Sequence, residues 1–407
     1  MNLAGKQLLL GLTGSIACYK SAELTRLLTQ AGVTVQVTMT EAATQFITPA
    51  TMQALSGNPV YIRLCDTRID SNMLHIDLSR RVDAIVIAPA SADFIAKLAH
   101  GLCNDLLSTL VIARDCPLLV VPAMNSQMWQ NSVTQRNIAQ LHADGIMVLG
   151  PDTGLQACGE IGNGRMIEPE TVYEEIIALF QPKKLAGQRV LITAGSTFEP
   201  IDPVRGITNR SSGKMGFALA RAAAQAGARV HLISGLVTLF KTPWGTSREN
   251  VQTAQQMYDA VMESVYDTDI FISVAAVADW RAVQVSEHKI KKTAGQLPPP
   301  MYFIENPDIL ASVAALPAPP YCVGFAAESS ELRMNGEAKR RRKNVPLLIG
   351  NLGPKTFGKD GNEVVLFDAD GSTPLPRADK QSLARTLVDE IARRVLGSST
   401  PLSSSGL

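Results

Sequence analysis

The stretch RVLITAGSTFEPIDPVRGITNRSSGKMG, Arg189 to Gly216, constrains the fold more than any other. It opens on an apolar, β-branched run, Val190 to Thr193, the pattern of a strand buried on both faces of a parallel sheet. Gly195 turns the chain, a long polar loop follows, and a second glycine pair around Lys214 opens an Ala-rich helical segment. One strand end therefore offers free backbone N–H groups, a lysine and two serines, the parts of a phosphate pocket. A shorter version lies upstream in KQLLLGLTGSIACYK, Lys6 to Lys20, with a helix expected from about Ala17 to Gln30. In both places an Ala-Gly pair and a new strand follow, Val33 to Thr38 and Arg229 to Ser234. A chain that begins this unit twice is read as α/β, with two doubly wound, mostly parallel-sheet, Rossmann-like domains. The polar QPKKLAGQ between Phe180 and Arg189 is the natural seam. The domains are thus expected over 1–181 and 189–396, with a linker at 182–188. The low-complexity GSSTPLSSSGL at 397–407 is expected to be disordered.

Bulk properties narrow the function classes. A net charge of +1 leaves no electrostatic case for nucleic acid or an anionic membrane. No apolar run approaches the roughly 20 residues of a membrane span. The six cysteines (18, 65, 103, 116, 158 and 322) form no CxxC pair and no disulfide framework, which fits a reduced, cytoplasmic protein.

In the first half, GLTGS lacks the G-x-G-x-x-G fingerprint, and no acid ends the second strand, which finishes VTMT at Thr40. Both absences count against NAD and leave a monophosphate such as that of FMN. A plain strand–helix turn is the bland alternative. DAIVIAPASA, Asp83 to Ala92, is a buried strand ending in small residues, which leave room for a ligand. In LLVVPAMNSQMW the strand stops at Pro122 and brings Asn125 to the same edge. Its amide suits a carboxylate, although a lone Asn is more often a turn residue. His75, in MLHIDL, is by itself more often a partly buried residue than a catalyst. Cys158 lies among four glycines, at 154, 159, 162 and 164, which argue against a regular element and for a mobile loop. A thiol on such a loop can close over a substrate and deliver a proton; an incidental exposed thiol is the alternative.

In the second half, SSGKMG departs from the P-loop pattern at Thr208 and Met215. Ser211, Ser212 and Gly213 remain good phosphate ligands, with a simple serine helix cap as the alternative. The strand Ile270 to Val274 ends in Ala275, Ala276, Ala278 and Asp279. Lys289, Lys291 and Lys292 form a basic cluster, Asn306, Pro307, Asp308 and Ile309 a turn, and Phe325 lies at another strand end. KRRRK, Lys339 to Lys343, is most cheaply a solvated helix face. Converged on one cleft, these cations would neutralise a triphosphate.

GLTGSIACYK, HIDL, PAMNSQMW and ACGEIGNGRM resemble, in order and spacing, the flavin-containing cysteine decarboxylases over about residues 1–180. AGSTFEPIDPVR, ITNRSSGKMG, AAVADW, KIKK, NPDI and GFAAE resemble, over about 188–390, the ligase half of one family. That family is the bifunctional phosphopantothenoylcysteine decarboxylases / phosphopantothenate–cysteine ligases of coenzyme A synthesis. The resemblance implies a flavodoxin-like first half with FMN at Gly14, Ser15, Thr40 and Ser91. It implies His75 beside the flavin in thiol oxidation, Asn125 on the substrate carboxylate, and Cys158 as proton donor. Oxidation of the cysteine to a thioaldehyde would give the electrons a place to go when CO2 leaves, and the reduced flavin would return them. For the second half it implies that CTP and Mg2+ activate 4′-phosphopantothenate as an acyl-cytidylate, from which the L-cysteine amine displaces CMP. Asn209, Ala275 and Ala276 would meet the pantothenate part. Asp279, Lys289, Asn306, Phe325, Lys339 and Lys343 would meet CTP, along with Pro307, Asp308 and Ile309 of the same motif. Lys289 would also stabilise charge in the transfer step, and Asp279 would be the likeliest protein neighbour of Mg2+. The resemblance further implies homo-oligomers: trimers with FMN at the subunit contact assembled into a dodecamer, and dimers of the ligase half. Three residues depart from the family pattern: Ser196 for proline, Phe198 for arginine and Arg210 for histidine. The rival readings are a regulatory flavoprotein of the same fold, and an NAD-dependent dehydrogenase.

Overall fold

The computed structural model describes residues 3–64, 74–157, 159–237, 241–291, 300–352 and 361–397. The chain divides into two compact units, Met1–Gln181 and Pro182–Leu407.

The first unit is built on strands β1 (Gln7–Leu12), β2 (Thr34–Met39), β3 (Val60–Tyr61), β4 (Ala84–Ala90), β5 (Leu118–Pro122) and β6 (Met147–Val148). They form one parallel sheet in the order β3-β2-β1-β4-β5-β6. β4 and β5 are buried along their whole lengths, because helices cover both faces of the sheet. Two apolar clusters lie on the two faces, one around Leu8, Leu10 and Val86, the other around Leu9, Ile85 and Ile87. Alternate residues of one strand feed opposite clusters, the period of a pleated strand. The strand order reverses between β1 and β4, and a crevice opens at that switch point. The glycines 154, 162 and 164, expected in an irregular loop, instead lie in two antiparallel strands, β7 (Asp152–Leu155) paired with β8 (Ile161–Arg165).

The second unit carries an eight-stranded sheet. Its strands are β9 (Arg189–Ala194), β12 (Arg229–Ser234), β13 (Thr246–Asn250), β14 (Ile270–Ser273), β17 (Tyr321–Glu328), β18 (Leu347–Leu352), β19 (Gly361–Asp368) and β20 (Gly371–Asp379). The order is β13-β12-β9-β14-β17-β18-β19-β20, parallel except for the last two pairings. Two small hairpins project from it: β10 (Phe198–Pro200) with β11 (Gly206–Thr208), and β15 (Trp280–Ala282) with β16 (Phe303–Glu305). The helix Lys214–Gln225 is rich in alanine because it packs closely on β9. A Cβ on Gly216 would collide with Ala194. The seam at 182–188 is packed onto this unit: Leu185 is buried in its core and Lys183 Nζ donates to the Gln225 carbonyl at 2.7 Å. Of the tail expected to be disordered at 397–407, Gly397 instead closes the last helix, Lys380–Gly397, and 398–407 lie outside the described residues. Among the described residues no helix is long and apolar enough to cross a membrane.

Candidate active sites

In the first unit the chain end of β1 is stitched to the end of β4. Thr13 Oγ1 donates to the Pro89 carbonyl at 2.8 Å and accepts the Ser91 N–H at 2.8 Å. Ser91 in turn caps the helix Ala92–His100. Gly14 lies where any side chain would meet Ala42 Cβ at 2.7 Å, so the turn after β1 and the turn after β2 touch through a glycine. The result is a cavity of about 540 Å³ lined by Gly14, Ser15, Ser91, Met124 and Asn125 on the sheet side and by Leu155, Gln156 and Arg165 of the hairpin region. Its size suits a small cofactor plus substrate. Thr40 caps the short turn Glu41–Gln45 at the neighbouring strand end, and His75 stands half-buried in the helix Leu74–Arg80; neither lines the cavity.

Asn125 caps the helix Ser126–Gln130, its Oδ1 accepting the Met128 N–H at 3.1 Å. Its Nδ2 donates to Glu160 Oε2 at 2.9 Å, so a carboxylate from the hairpin tip already sits on the amide. β8 lies flat over this segment because Gly162 and Gly164 present no side chains to Ser126 and Met124. Cys158 lies outside the described residues. Lys20, which no pattern singled out, is 3% exposed and lines the same cavity. It donates to the Met166 carbonyl at 2.6 Å and pairs with Glu168 at 3.2 Å. Burial pulls its ammonium below the ordinary lysine value, against the opposing pull of Glu168.

In the second unit the turn at Gly195 has φ +80° and lies beside Gly213 at φ +75°, and a Cβ on either would collide with Val237 Cγ1. Gly213 itself is the N-cap of the helix Lys214–Gln225, with no side-chain cap. The serine cap considered from sequence is therefore not formed; Ser211 Oγ instead accepts the Gly213 N–H at 3.3 Å. A cleft of about 440 Å³ brings together Asn209, Ser211, Ser212, Gly213, Ala275, Ala276, Asp279, Phe325 and Lys339. Arg210, Asn351, Asn362 and Lys380 line it too. Asn209 is fixed by donation to the Val277 carbonyl at 3.0 Å.

Other expected residues stand beside the cleft and do not line it. Asn306 donates to the Ala278 carbonyl at 2.8 Å and braces the Asp279 loop. Asp308 caps the helix Ile309–Ala314 and pairs with Lys343, while Ile309 is buried in the core and Pro307 is half-buried. Burial lowers the Lys343 ammonium from its ordinary value, and Asp279 opposes the shift. Lys343 is thus a paired, sheltered cation and not the freely solvated one expected; Arg340 and Arg341 pair with Glu337. Lys289 is exposed and outside the cleft lining, so the basic residues do not all converge. Of the family departures, Ser196 is buried between Leu236 and Ala276, and Arg210 reaches the cleft.

Residues 1–181 match the family model described as Flavoprotein, and residues 185–395 match the DNA/pantothenate metabolism flavoprotein C-terminal domain. The coenzyme A biosynthesis bifunctional protein CoaBC of Vibrio parahaemolyticus is 48% identical over 393 residues, covering 96% of this chain and 98% of that one. The chain belongs to this family of bifunctional coenzyme A biosynthesis proteins. The Escherichia coli member is 47% identical over 400 residues, covering 97% and 98% of the two chains. A crystal structure of a C-terminal domain from the same family is 33% identical, covers 53% of this chain and 99% of that one, and has a TM-score of 0.45.

Asn351, Asn362 and Lys380 carry no local signal; they come from β18, β19 and the last helix, and only the return of the chain sets them opposite Ser211. Glu160 belongs to the ACGEIGNGRM motif, yet its pairing with Asn125 depends on how the hairpin docks.

Proposed function

We propose that the second unit joins L-cysteine to 4′-phosphopantothenate in a CTP-driven reaction and that the first unit decarboxylates the product to 4′-phosphopantetheine with FMN. The observation that carries this reading is that each unit has its own cleft at its sheet's strand ends, lined by that half's family motifs. The first cleft fits FMN: hydroxyls of Ser15 and Ser91, free backbone N–H groups and a glycine approach at Gly14 for a monophosphate, with Met124 and Met128 for a flat ring. FMN supplies the two-electron oxidation of the cysteine moiety and the later return of those electrons. Asn125 holds the substrate carboxylate in the place that Glu160 now occupies. Cys158 gives the proton to carbon. His75 serves the thiol oxidation.

A trimer with FMN at the subunit contact accounts for a His75 that does not line its own cleft. It also accounts for apolar residues left open at the rim: Ile16 is 60%, Tyr19 62% and Leu155 64% exposed. Such trimers assemble into a dodecamer, and the ligase units pair as dimers.

In the second cleft, the N–H groups and hydroxyls of Ser211, Ser212 and Gly213 hold phosphate oxygens. Asn209, Ala275 and Ala276 hold the pantothenate part. Asp279 fits a Mg2+ ion that takes most of its ligands from nucleotide phosphates; among the described residues no group of three metal-binding side chains exists. Lys339 and Lys343 offset the triphosphate charge, and Lys289 stabilises the charge that develops in transfer. The free thiols of Cys18, Cys103, Cys116 and Cys322 fit a cytoplasmic setting.

The test is one incubation of the purified protein with 4′-phosphopantothenate, L-cysteine, CTP and Mg2+, read by mass spectrometry, beside an absorption spectrum. Expected are bound flavin, CMP release, and conversion through 4′-phosphopantothenoylcysteine to 4′-phosphopantetheine. A yellow protein inert in both steps would favour the regulatory flavoprotein, and a colourless one would defeat the cofactor assignment.

A further inference from the structure

We propose that Asp202 is a positioning residue for Lys289, holding the backbone beside that lysine in place for the ligation step; this rests on the role given to Lys289 above. Asp202 stands at the turn of the β10–β11 hairpin, yet it is 1% exposed. One carboxylate oxygen, Oδ1, accepts the N–H groups of Val204 and Arg205, both at 2.8 Å. The other, Oδ2, accepts Arg205 Nε at 3.0 Å, Arg205 Nη2 at 2.6 Å and the Ile290 N–H at 3.2 Å. Arg205 Nη2 also donates to the Ile290 carbonyl at 2.8 Å. Both backbone polar groups of the residue next to Lys289 are therefore gripped by one ion pair.

The segment has a second anchor. Ser286 N–H donates to the Ile201 carbonyl at 3.0 Å, and Ser286 Oγ closes the turn on the His288 carbonyl at 2.6 Å. Lys289 thus lies between two fixed points, Ser286 and Ile290, and both end on residues 201–205. The other end of the same hairpin is tied to the cleft. Thr208 Oγ1 donates to the Thr197 carbonyl at 2.7 Å, and the next residue, Asn209, donates to Val277. One short hairpin joins the cleft wall to the base of the Lys289 segment.

The need for this follows from the lysine. Its stem is long and freely rotating, and its side chain is exposed. A charge that must meet a transition state is effective only if it is aimed beforehand. With the side chain unconstrained, the backbone is what can be fixed, and a buried carboxylate with five donors fixes it firmly. Hydrogen bonding from Arg205 is the main cause that holds the Asp202 carboxyl far below its ordinary value, so it stays ionised.

Asp202→Asn separates the two functions of the carboxylate. Its amide oxygen can keep the bonds to Val204 and Arg205 N–H, but its NH2 would face the Arg205 guanidinium and the Ile290 N–H, donor against donor. Ligation rates of full-length wild type, Asp202→Asn, Lys289→Gln and the double variant are measured by product mass spectrometry. Lys289→Gln is expected to lower kcat ~10²–10³-fold. Asp202→Asn is expected to lower kcat about tenfold or more, with KM for CTP within about twofold and the ligase unit still folded at the assay temperature, though with a lowered thermal midpoint. The double variant is expected to be no slower than Lys289→Gln alone. A double variant slower by the product of the two single losses, or an Asp202→Asn protein at full rate, would overturn the proposal. A full-rate Lys289→Gln protein would remove the lysine role itself, and that arm alone identifies it. Amide exchange on the wild type supplies a check that needs no variant: the Ile290 N–H must be protected although its segment is exposed, and free exchange there would refute the clamp.

Discussion

Gly164→Ala should disable decarboxylation while leaving the chain folded. Gly164 has φ +132°, a region that L side chains rarely adopt. A Cβ there would land on the Met124 carbonyl oxygen, 2.9 Å from Gln156 Nε2 and 3.2 Å from the Asn125 carbonyl carbon. Two of these three are backbone atoms and cannot rotate away. The conformational strain costs about 1–3 kcal/mol, and the overpacking adds about 1–3 kcal/mol. The sum, ~2–6 kcal/mol, exceeds what the few hydrogen bonds under the hairpin can hold. These are Met124 N–H to the Gly164 carbonyl at 2.9 Å, Ser126 N–H to Gln156 Oε1 at 3.0 Å, and the Asn125–Glu160 contact. The hairpin should therefore lift off Asn125 and the unit should stay folded, so the penalty appears as a small docked fraction. At about 1.4 kcal/mol per factor of ten, a penalty of ~2–6 kcal/mol on the docked form lowers decarboxylation kcat/KM by up to roughly 30- to 10⁴-fold. The assay is CO2 release from 4′-phosphopantothenoylcysteine, with CTP-dependent ligation by the same protein as internal control. Wild-type decarboxylation would refute the argument, and loss of ligation alongside it would point to general misfolding.

Glu160→Gln should lower KM for the decarboxylation substrate by about two- to fivefold, because a neutral amide competes less well than a carboxylate for Asn125 Nδ2; an unchanged KM would show that the contact does not compete. Gly216→Ala should push the helix Lys214–Gln225 off Ala194 and weaken ligation and its CTP affinity, with decarboxylation intact; equal loss of both activities would count against separate sites. Asp105→Ala should destabilise the first unit by about 0.5–2 kcal/mol, the usual worth of a helix cap, measured by thermal melting. Burial alone would raise the Asp105 carboxyl, but the Ser108 N–H and the Lys97 ammonium more than reverse that and leave it below its ordinary 3.8. The unfolded chain then binds the proton more readily. The stabilisation is therefore complete above the ordinary value and is lost as pH falls through the lower folded one. The variant should lose stability relative to wild type at neutral pH and converge on it in strong acid; a gap that persists there would contradict the sign.

Much of this protein is written locally. β4 and β5 are apolar runs between breakers, and their lengths follow from residues that lie side by side in the sequence. The two strand–glycine–helix units are equally local, because a turn needs its glycine within a few residues of the strand it ends. Family motifs carried most of the cleft residues of both units. What stayed hidden depends on chain that returns from far away. The hairpin at 152–165 looks irregular because its glycines serve a surface 36 to 40 residues earlier, not a local turn: Gly162 and Gly164 clear room for Ser126 and Met124. Glu160 reaches Asn125 across 35 residues, and Asp202 reaches Ile290 across 88. Lys289 could be recognised as a cation of interest, but its absence from the cleft lining and the clamp beside it could not. A hydrogen bond between distant residues leaves no periodicity in either partner's neighbourhood, so only the folded backbone decides which donor meets which acceptor.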